Sequence, residues 1–293
     1  MKRLFMLLAL SLAFVAGASA EERSKTYEFG DIVGIDAAFT YEIHVTKGSS
    51  KSVEVVYDAE YEDYMRITYS AIESKLYLSM DELPRKIRNS SHPPVRVYLK
   101  MDNISEIDLS GVSSISFDGA FTAKNLEIDL SGAARVGGQF TVNGRSLSLD
   151  VSGAAKAYVT GDFPTVYLDL SGAASVTLTG NGKTVDGELS GAAKFSLEGN
   201  YENCSLECSG AANLRMSGKG DTLELEGSGA CDINAKDYAV KSALVELSGA
   251  SKAKINVAED LQLDVDRACK LTYYGSPKIR NISADNNIIQ GTL

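Results

Sequence analysis

Positive charge, histidine and long apolar runs are scarce in this 293-residue sequence, and each shortage excludes a class of function. Aspartate and glutamate outnumber lysine and arginine by 39 to 29, for a net charge of −10. This acidity argues against nucleic acid and anionic membrane surfaces as partners. Neither of the two histidines, His44 and His92, has a metal-ligand partner at useful spacing, and no zinc, phosphate-loop or dinucleotide motif occurs. Beyond residue 20 no stretch is apolar and long enough to span a bilayer, so we expect no transmembrane anchor.

The start of the sequence, MKRLFMLLALSLAFVAGASA, has the form of a secretory signal peptide. Two cations precede an apolar stretch that is short for a membrane span, and Ala18-Ser19-Ala20 offers a small-residue cleavage site. We therefore predict that residues 1–20 are removed. The mature protein is then exported, either to the periplasm or to the cell surface and the extracellular medium.

A repeated Ser-Gly pair dominates the rest of the sequence. Its serines recur at a nearly constant interval, at Ser110, Ser131, Ser152, Ser171, Ser190, Ser209, Ser228 and Ser248. The positions one, three and five before each serine, and five and seven after it, are mostly apolar, with polar residues between them. This period of two is the pattern of a half-buried strand. Each copy is therefore predicted to form a strand, a tight corner, a second strand and a glycine turn.

A unit of this length cannot bury its own apolar face and must stack on its neighbours. We predict an all-β fold, a right-handed parallel β-helix: a solenoid of about nine coils of 19–21 residues over residues 101–293. In a degenerate C-terminal capping coil, Asp266-Arg267 replaces Ser-Gly. Residues 21–100 carry strand-like runs without the repeat and are predicted to form a β-rich N-terminal cap. A propeller is disfavoured because each blade needs about 40 residues and four strands.

The Ser-Gly corner is predicted to be structural. Glycine supplies a positive φ or a close backbone approach, and the serine hydroxyl can satisfy backbone groups. Eight equivalent serines without a nearby histidine cannot all be nucleophiles, and the G-x-S-x-G elbow is absent. We therefore predict no catalytic residues and assign a structural role to corner residues such as Ser131, Gly132, Ser152, Gly153, Ser171, Gly172, Ser190 and Gly191.

Four cysteines in an exported protein normally suggest two disulfides, but the register separates the possible partners. Cys204 and Cys208 would lie about 13 Å apart along one strand, beyond disulfide reach. Cys231 and Cys269 occupy the same corner position two coils apart, about 9.6 Å. The sequence therefore predicts four reduced, buried thiols.

A carboxylate stands two residues before the corner in every coil, and the register places these side chains in one outward column. The column comprises Asp108, Asp129, Asp150, Asp169, Glu188, Glu207, Glu226, Glu246 and Asp264. One interpretation is a ladder for Ca²⁺ or a cationic partner. The other is a solvated acidic stripe, partly balanced by the cations four residues after the corner, Arg135, Lys156, Lys194, Lys252 and Lys270. Evenly spaced carboxylates lack the converging ligands of a tight Ca²⁺ site, so no cofactor is expected.

The segment YDAEYEDYM, residues 57–65, is a second candidate site because tyrosine rings and carboxylates together can bind sugars. The candidate ligand-binding residues are Tyr57, Asp58, Tyr61 and Tyr64. The alternative is a surface loop or short helix whose tyrosines are partly buried against the cap.

Cap and coils together resemble a known family. The run FGDIVGIDAAFTYEIHVTKGSSKSVEVVYD, then KLYLSM, then repeated LSGAA coils are similar to the "putative autotransporter adhesin head domain", also called the GIN domain, of secreted proteins of Bacteroidetes-type bacteria. The resemblance implies a β-helix and an adhesive or cell-surface role. It implies no catalytic residues to carry over.

Two classes of function stay open. The first is a non-enzymatic exported binding, adhesion or scaffolding protein of the cell envelope, whose partner would be a glycan, an envelope protein or a host surface protein. The alternative is a polysaccharide-active enzyme of the lyase or hydrolase type, or a purely structural envelope protein. Such enzymes carry long loops that build a cleft between coils. The near-constant interval between serines favours the binding protein.

Overall fold

The computed structural model describes residues 21–89, 92–283 and 287–292, so the predicted signal peptide lies outside the described residues. A 3₁₀ turn (Ala59–Tyr61) and one short helix, α1 (Arg85–Arg88), interrupt the strands near the N-terminus. The strands of that region are β1 (Glu22–Glu28), β2 (Gly34–Ala37), β3 (Tyr41–Lys47), β4 (Ser52–Asp58), β5 (Met65–Ser70), β6 (Lys75–Met80) and β7 (Val95–Met101). The repeat region contains β8 (Glu106–Leu109), β9 (Ser114–Thr122), β10 (Asn125–Leu130), β11 (Arg135–Asn143), β12 (Ser146–Val151), β13 (Lys156–Thr160), β14 (Thr165–Leu170), β15 (Ser175–Thr179), β16 (Gly182–Leu189), β17 (Lys194–Cys208), β18 (Asn213–Lys219), β19 (Thr222–Gly227), β20 (Asp232–Leu247), β21 (Lys252–Val265), β22 (Lys270–Tyr274), β23 (Lys278–Ser283) and β24 (Ile288–Gln290).

Each coil lies in parallel register on the next, as the repeat predicts. Ile128 of β10 pairs with Leu149 of β12, which pairs with Leu168 of β14. The strands after the corner do the same, since Val176 of β15 pairs with Phe195 of β17. The stack makes about nine turns. The predicted β-solenoid is confirmed.

A continuous apolar core runs through the stack because inward side chains alternate with outward ones on every strand. In β12 the inward residues Leu147, Leu149 and Val151 are fully buried. Burying one such side chain stabilises the fold by about 1.5–3 kcal/mol. Larger rings fill the space behind the glycine turns, where the Tyr238 hydroxyl donates to the Tyr201 carbonyl oxygen at 2.7 Å.

A column of polar side chains joins the turns that close successive coils. Asn143 Oδ1 accepts from the Asp162 backbone N–H at 2.9 Å. Asp162 Oδ1 accepts from the Asn181 side-chain amide at 3.1 Å. Asn181 Oδ1 in turn accepts from the Asn200 side-chain amide at 2.8 Å. These bonds satisfy turn groups that no strand pairs, and they tie each coil to its neighbour.

The N-terminal strands do not stack in chain order. β2 lies between β6 and β8, and β3 lies between β7 and β9, all in parallel. The coil that β2 and β3 form therefore inserts between the β6–β7 pair and the first Ser-Gly coil. Its corner is Ala38-Phe39, and Phe39 adopts the positive φ of 107° that glycine supplies elsewhere. Antiparallel β5, β4 and β1 then cover this end of the stack. The domain boundary at residue 100 stays a prediction.

The C-terminal coil keeps the register although it lacks Ser-Gly. Asp264 pairs with Glu246 and Lys270 with Lys252. The Cys269 backbone N–H closes the corner by donating to the Asp266 carbonyl oxygen at 3.0 Å. Beyond it, β23 and β24 add a further partial coil.

Candidate functional site: the two faces beside the Ser-Gly corner

Two outward faces meet at the column of corners. We call the outward residues of the strands before the corner the first-strand face, and those of the strands after the corner the second-strand face. The first includes β8, β10, β12, β14, β16 and β19, and the second includes β9, β11, β13, β15, β18 and β22. Long strands such as β17 contribute to both faces.

The corner glycines are required by the stacking of the backbone. Gly132 has a φ of +68°, and a β-carbon on it would come within 2.7 Å of the Gly111 carbonyl oxygen. The same oxygen accepts from the Ala133 backbone N–H at 2.8 Å, which fixes this close approach.

The corner serines bond to the coil before them. Their hydroxyls reach a carbonyl oxygen of that coil at 3.4 Å at Ser152, Ser190 and Ser209. These contacts satisfy backbone carbonyl groups. They are not the contact between a serine and a base that a nucleophile needs.

The predicted carboxylates form one column in the stack. Asp108 pairs with Asp129, Asp129 with Asp150, and the pairing continues coil by coil to Asp264. Asp36 of β2 pairs with Asp108 and extends the column by one position. The sequence repeat missed Asp36 because no Ser-Gly follows it.

Mutual repulsion is visible in the protonation behaviour of the column. Burial raises the pKa of Asp129, and the neighbouring Asp108 and Asp150 raise it further. In the same way, burial raises the pKa of Glu226, and the neighbouring Glu207 and Glu246 raise it further. At the N-terminal end of the column a cation compensates. There the buried Lys75 ammonium lies 2.7 Å from Glu106 and 3.8 Å from Asp36.

A groove of about 260 Å³ runs between the acidic column and the corner serines in the C-terminal half of the stack. We call it the acidic groove. Its polar walls are carboxylates on one side and serine hydroxyls on the other, from Glu188, Glu207, Glu226, Glu246, Asp264, Ser190, Ser209, Ser228 and Ser248. A second groove of about 480 Å³ crosses the same face nearer the start of the strands. Its rim includes Thr184, Asn203, Thr222 and Asp260.

The column does not converge on a point. Within residues 21–89, 92–283 and 287–292, no group of three or more His, Cys, Asp or Glu side chains could hold a metal ion. The carboxylates therefore offer a repetitive anionic surface with one acid per coil.

The second-strand face has a different character. Arg135 pairs with Lys156 in neighbouring coils, and both side chains are exposed. Further exposed cations on this face are Lys194, Arg215, Lys252, Lys254 and Lys270. Exposed acids also lie on this face, at Asp118, Glu198 and Asp232, so it carries charges of both signs where the acidic column carries one.

Exposed aromatic rings also lie on the second-strand face, which sequence reasoning missed. The Tyr158 side chain is 56% exposed. Near the N-terminal end the His44 and Tyr98 rings stack, with centroids 4.9 Å apart and planes inclined by 13°. The alternation of the repeat marked Tyr158 as outward, but it did not cover His44 and Tyr98 and carried no sign of how the rings are grouped.

The candidate residues of segment 57–65 serve mainly to anchor the cap. Tyr57, Asp58 and Tyr61 are buried, and Tyr64 is half-buried. Asp58 accepts from the Glu60 backbone N–H and lies 2.8 Å from Nδ1 of His92. This burial leaves little ring surface for a sugar to contact, and it makes His92 a structural residue.

All four cysteines are free and buried, in agreement with the register. Burial raises the pKa of the Cys204 thiol to about 11 and that of Cys208 to about 12. Reactive thiols need a lowered pKa, so these side chains act as small apolar groups. No helix among the described residues is long and apolar enough to cross a membrane.

Fold and surface together define a β-solenoid with glycine corners and two exposed lateral faces. The chain belongs to the family described as "putative auto-transporter adhesin, head GIN domain", whose profile matches residues 33–180 and 165–277. The resemblance read from the sequence is thereby confirmed.

Several solved structures share the fold. A putative adhesin from Parabacteroides merdae ATCC 43184 is 14% identical, with 93% of this chain and 94% of that chain covered and a TM-score of 0.56. A putative adhesin from Parabacteroides distasonis ATCC 8503 is 17% identical, with coverage of 93% and 96% and a TM-score of 0.58. A putative lipid binding protein from the same strain is 14% identical, with coverage of 92% and 94% and a TM-score of 0.54. No curated protein matches the chain.

Proposed function

We propose that this protein is an exported, non-enzymatic adhesion protein that contacts its partner through the lateral faces of the solenoid. The observation that carries the proposal is the unbroken register of the acidic column. From Asp36 to Asp264 each coil repeats one carboxylate at the same place. Repetition of one weak contact along a rod raises avidity without any single strong site.

The acidic groove is the proposed contact surface on the first-strand face. A partner with regularly spaced cations or hydroxyl groups could meet one carboxylate and one serine hydroxyl in each coil. Glycan chains and basic segments of surface proteins both have this chemistry. Nucleic acid does not, because its phosphates would be repelled by the column.

Ca²⁺ could act as a bridge here rather than as a resident cofactor. Carboxylates in file can share Ca²⁺ with the carboxylates of a partner, since Ca²⁺ accepts oxygen ligands from both sides. The proposal therefore includes calcium-dependent contact, which is tested by comparing binding with Ca²⁺ and with a chelator.

A hydrolase acting on polysaccharides is the second candidate, and the acidic groove is the place that favours it. Neighbouring strands lie about 4.8 Å apart, close to the carboxylate separation of about 5–5.5 Å in retaining glycosidases. Burial, and then the neighbouring Glu207 and Glu246, raise the pKa of Glu226, and a general acid requires a raised pKa. The acids repeat at the same spacing in every coil, so their geometry singles out no pair, and we therefore prefer adhesion.

The test is a binding screen of the purified protein against uronic-acid, sulfated and neutral polysaccharides and against intact cells, with Ca²⁺ or with a chelator. The variant Glu188→Gln/Glu207→Gln/Glu226→Gln removes three acids of the groove. The control Glu198→Gln/Glu202→Gln/Glu259→Gln removes three exposed acids elsewhere.

Adhesion through the groove predicts that the groove variant, and not the control, loses binding to at least one polysaccharide or cell type in the screen. Equal binding by both variants and the unchanged protein to every partner in the screen would reject the groove as a contact surface. Release of new reducing ends from a polysaccharide, abolished in the groove variant alone, would favour the hydrolase.

A further inference from the structure

The solenoid changes its repeat length at β11. Val136 pairs with Ala157 at the start of this strand. At the end of the strand, Asn143 Oδ1 accepts a hydrogen bond from the Asp162 backbone N–H. Val136 precedes its partner by 21 residues, whereas Asn143 precedes its partner by 19. The two extra residues of β11 therefore lie between Val136 and Asn143. There β11 pairs with β9 along its whole length but with β13 at only two positions. Bulges of this kind re-aim side chains and are frequent beside functional sites.

Gly137 stands at this change of repeat, and the backbone does not require a glycine there. Its φ lies outside the left-handed region, and an added β-carbon would meet only Tyr158 Cδ2, at an ordinary 3.8 Å. The adjacent Gly138 differs, because its φ is +126° and a β-carbon would come within 2.2 Å of the Phe117 carbonyl oxygen. Glycine inside a strand costs stability and often marks a close approach by a ligand. Because Gly137 has no side chain, it leaves an open space on the second-strand face, which we call the floor.

Aromatic rings bound this floor on both sides. The exposed Tyr158 ring lies on one side, and the stacked His44 and Tyr98 rings lie on the other. Ser116 lies between, with its hydroxyl 3.1 Å from His44 Nδ1. Three strand spacings, about 14 Å, separate the backbones of His44 and Tyr158. We call His44, Tyr98, Ser116, Gly137 and Tyr158 the aromatic trough.

The rim of the trough nearest the corner is cationic. Arg135 and Lys156 lie side by side, each two residues before Gly137 and Tyr158 respectively, and both are exposed. The opposite rim carries the Gln139 amide and the exposed Asp118 carboxylate, which lie at paired positions of β11 and β9. The trough therefore joins ring faces, hydroxyl and amide groups and two adjacent cations, with its one rim carboxylate on the side away from those cations.

We propose that the aromatic trough binds an anionic glycan. Sugar rings pack by their C–H faces on Tyr158 and on the His44–Tyr98 stack, as amphipathic rings commonly allow. A carboxylate or sulfate group of the sugar pairs with Arg135 and Lys156. The inference rests on the proposed adhesive function and assigns it a ligand class, on a face separate from the acidic groove.

Three variants test the trough, each with a matched control. Gly137→Leu fills the floor at a backbone that accepts a side chain, and Ser196→Leu makes the same kind of addition on the same face farther along. Tyr158→Ala removes an exposed ring, and Tyr167→Ala removes one that is 54% exposed on the first-strand face.

The third pair addresses charge. Arg135→Gln removes a rim cation, and Lys194→Gln removes an exposed cation of the same column beyond the trough. Titration calorimetry with a uronic-acid tetrasaccharide, a sulfated tetrasaccharide and a neutral tetrasaccharide measures affinity, and thermal unfolding checks that each variant is folded.

The proposal expects the unchanged protein to bind at least one anionic tetrasaccharide more tightly than the neutral one. Each trough variant should weaken that binding about tenfold or more, with unfolding temperatures and control variants unchanged. Arg135→Gln should also reduce the dependence of binding on salt. The acidic-groove variant should bind the tetrasaccharide normally.

Absence of anionic tetrasaccharide binding at millimolar concentration overturns the proposal. Equal affinity for the neutral sugar, or full binding by Gly137→Leu, overturns it as well. If binding is lost in the acidic-groove variant and kept in the trough variants, the trough inference fails while the adhesive function stands.

Discussion

Gly153 stacks directly on Gly132: a β-carbon on Gly153 would lie 2.7 Å from the Gly132 carbonyl oxygen, at a φ of +68°. The next corner repeats the relationship, since Gly172 meets Gly153 in the same way. From Gly111 to Gly249 the corners approach this closely because their column has no side chains.

Gly153→Ala should therefore destabilise the protein by about 2–4 kcal/mol. The positive φ costs about 1–2 kcal/mol for a residue with a β-carbon, and overpacking by one methyl group adds about 1–2 kcal/mol, the lower part of its usual range. Urea unfolding followed by circular dichroism measures the change. Gly137→Ala is the control and should be neutral or stabilise by about 0.5–1 kcal/mol, because its backbone is extended and its surroundings are open. Equal costs at the two glycines would contradict the stacking.

Asn181→Ala should cost about 1 kcal/mol in the free energy of unfolding. It removes the bonds to Asp162 Oδ1 and from the Asn200 backbone and side-chain amides, but water can replace part of them on this exposed edge. Asp162→Asn keeps the accepting oxygen and should change stability little. If Asp162→Asn is the more damaging of the two, the column of turn side chains is not held by these bonds.

Asp129→Asn should raise the free energy of unfolding at pH 7 by less than about 1 kcal/mol, since the column is largely solvated. The pKa of this carboxyl is higher in the folded protein than its ordinary value of 3.8. Folding therefore favours the protonated form, and the unchanged protein gains stability from this group as the pH falls toward its folded pKa.

The benefit of Asp129→Asn should accordingly shrink as the pH falls and vanish below about pH 3.8, and it should also shrink in high salt. Glu198→Gln, outside the column, serves as the control and should have no such dependence. A benefit that is constant from pH 7 to pH 3 would show that repulsion within the column is not its source.

The four thiols should not react with a disulfide reagent at pH 8 while the protein is folded. Burial raises the pKa of Cys204 and Cys208 to about 11 and about 12, so the thiolate is scarce as well as inaccessible. In guanidinium chloride all four should react, which counts them as free thiols. If fewer than four thiols react after unfolding without a reductant, the protein contains a disulfide and its register is different.

The coils were predictable because their period is expressed in every copy. A residue two before the corner must point outward once the residues on either side of it are buried, so the positions of Asp129 and Glu226 followed from alternation alone. The positions of Cys204 and Cys231 followed for the same reason.

The coil of β2 and β3 was not predictable from the repeat. Its corner is Ala38-Phe39, and Phe39 adopts a positive φ that residues with a β-carbon rarely take. The partial burial of its ring against Tyr61 helps to hold it there, with centroids 6.2 Å apart at 89°. A motif that requires glycine cannot find such a corner.

The aromatic trough was hidden for a different reason. The change from a longer to a shorter interval between serines is plain in the sequence, but it does not say which strand takes the two extra residues. Only the loss of pairing with β13 after Val136, while pairing with β9 continues, places them between Val136 and Asn143, in the segment that begins with Gly137. His92 was likewise invisible as a buried residue, because its partner Asp58 is distant in the sequence.

The register of the coils is the central claim, and a pair of engineered cysteines measures it most directly. Thr177 of β15 pairs with Ser196 of β17, and Glu198 lies two residues farther along β17, where it pairs with Thr179. Paired positions on neighbouring strands have α-carbons about 4.8 Å apart, within disulfide reach, whereas a two-residue offset gives about 8 Å. After mild oxidation, peptide mass spectrometry should find Thr177→Cys/Ser196→Cys bridged and Thr177→Cys/Glu198→Cys open. The reverse result would contradict the register and with it both binding faces.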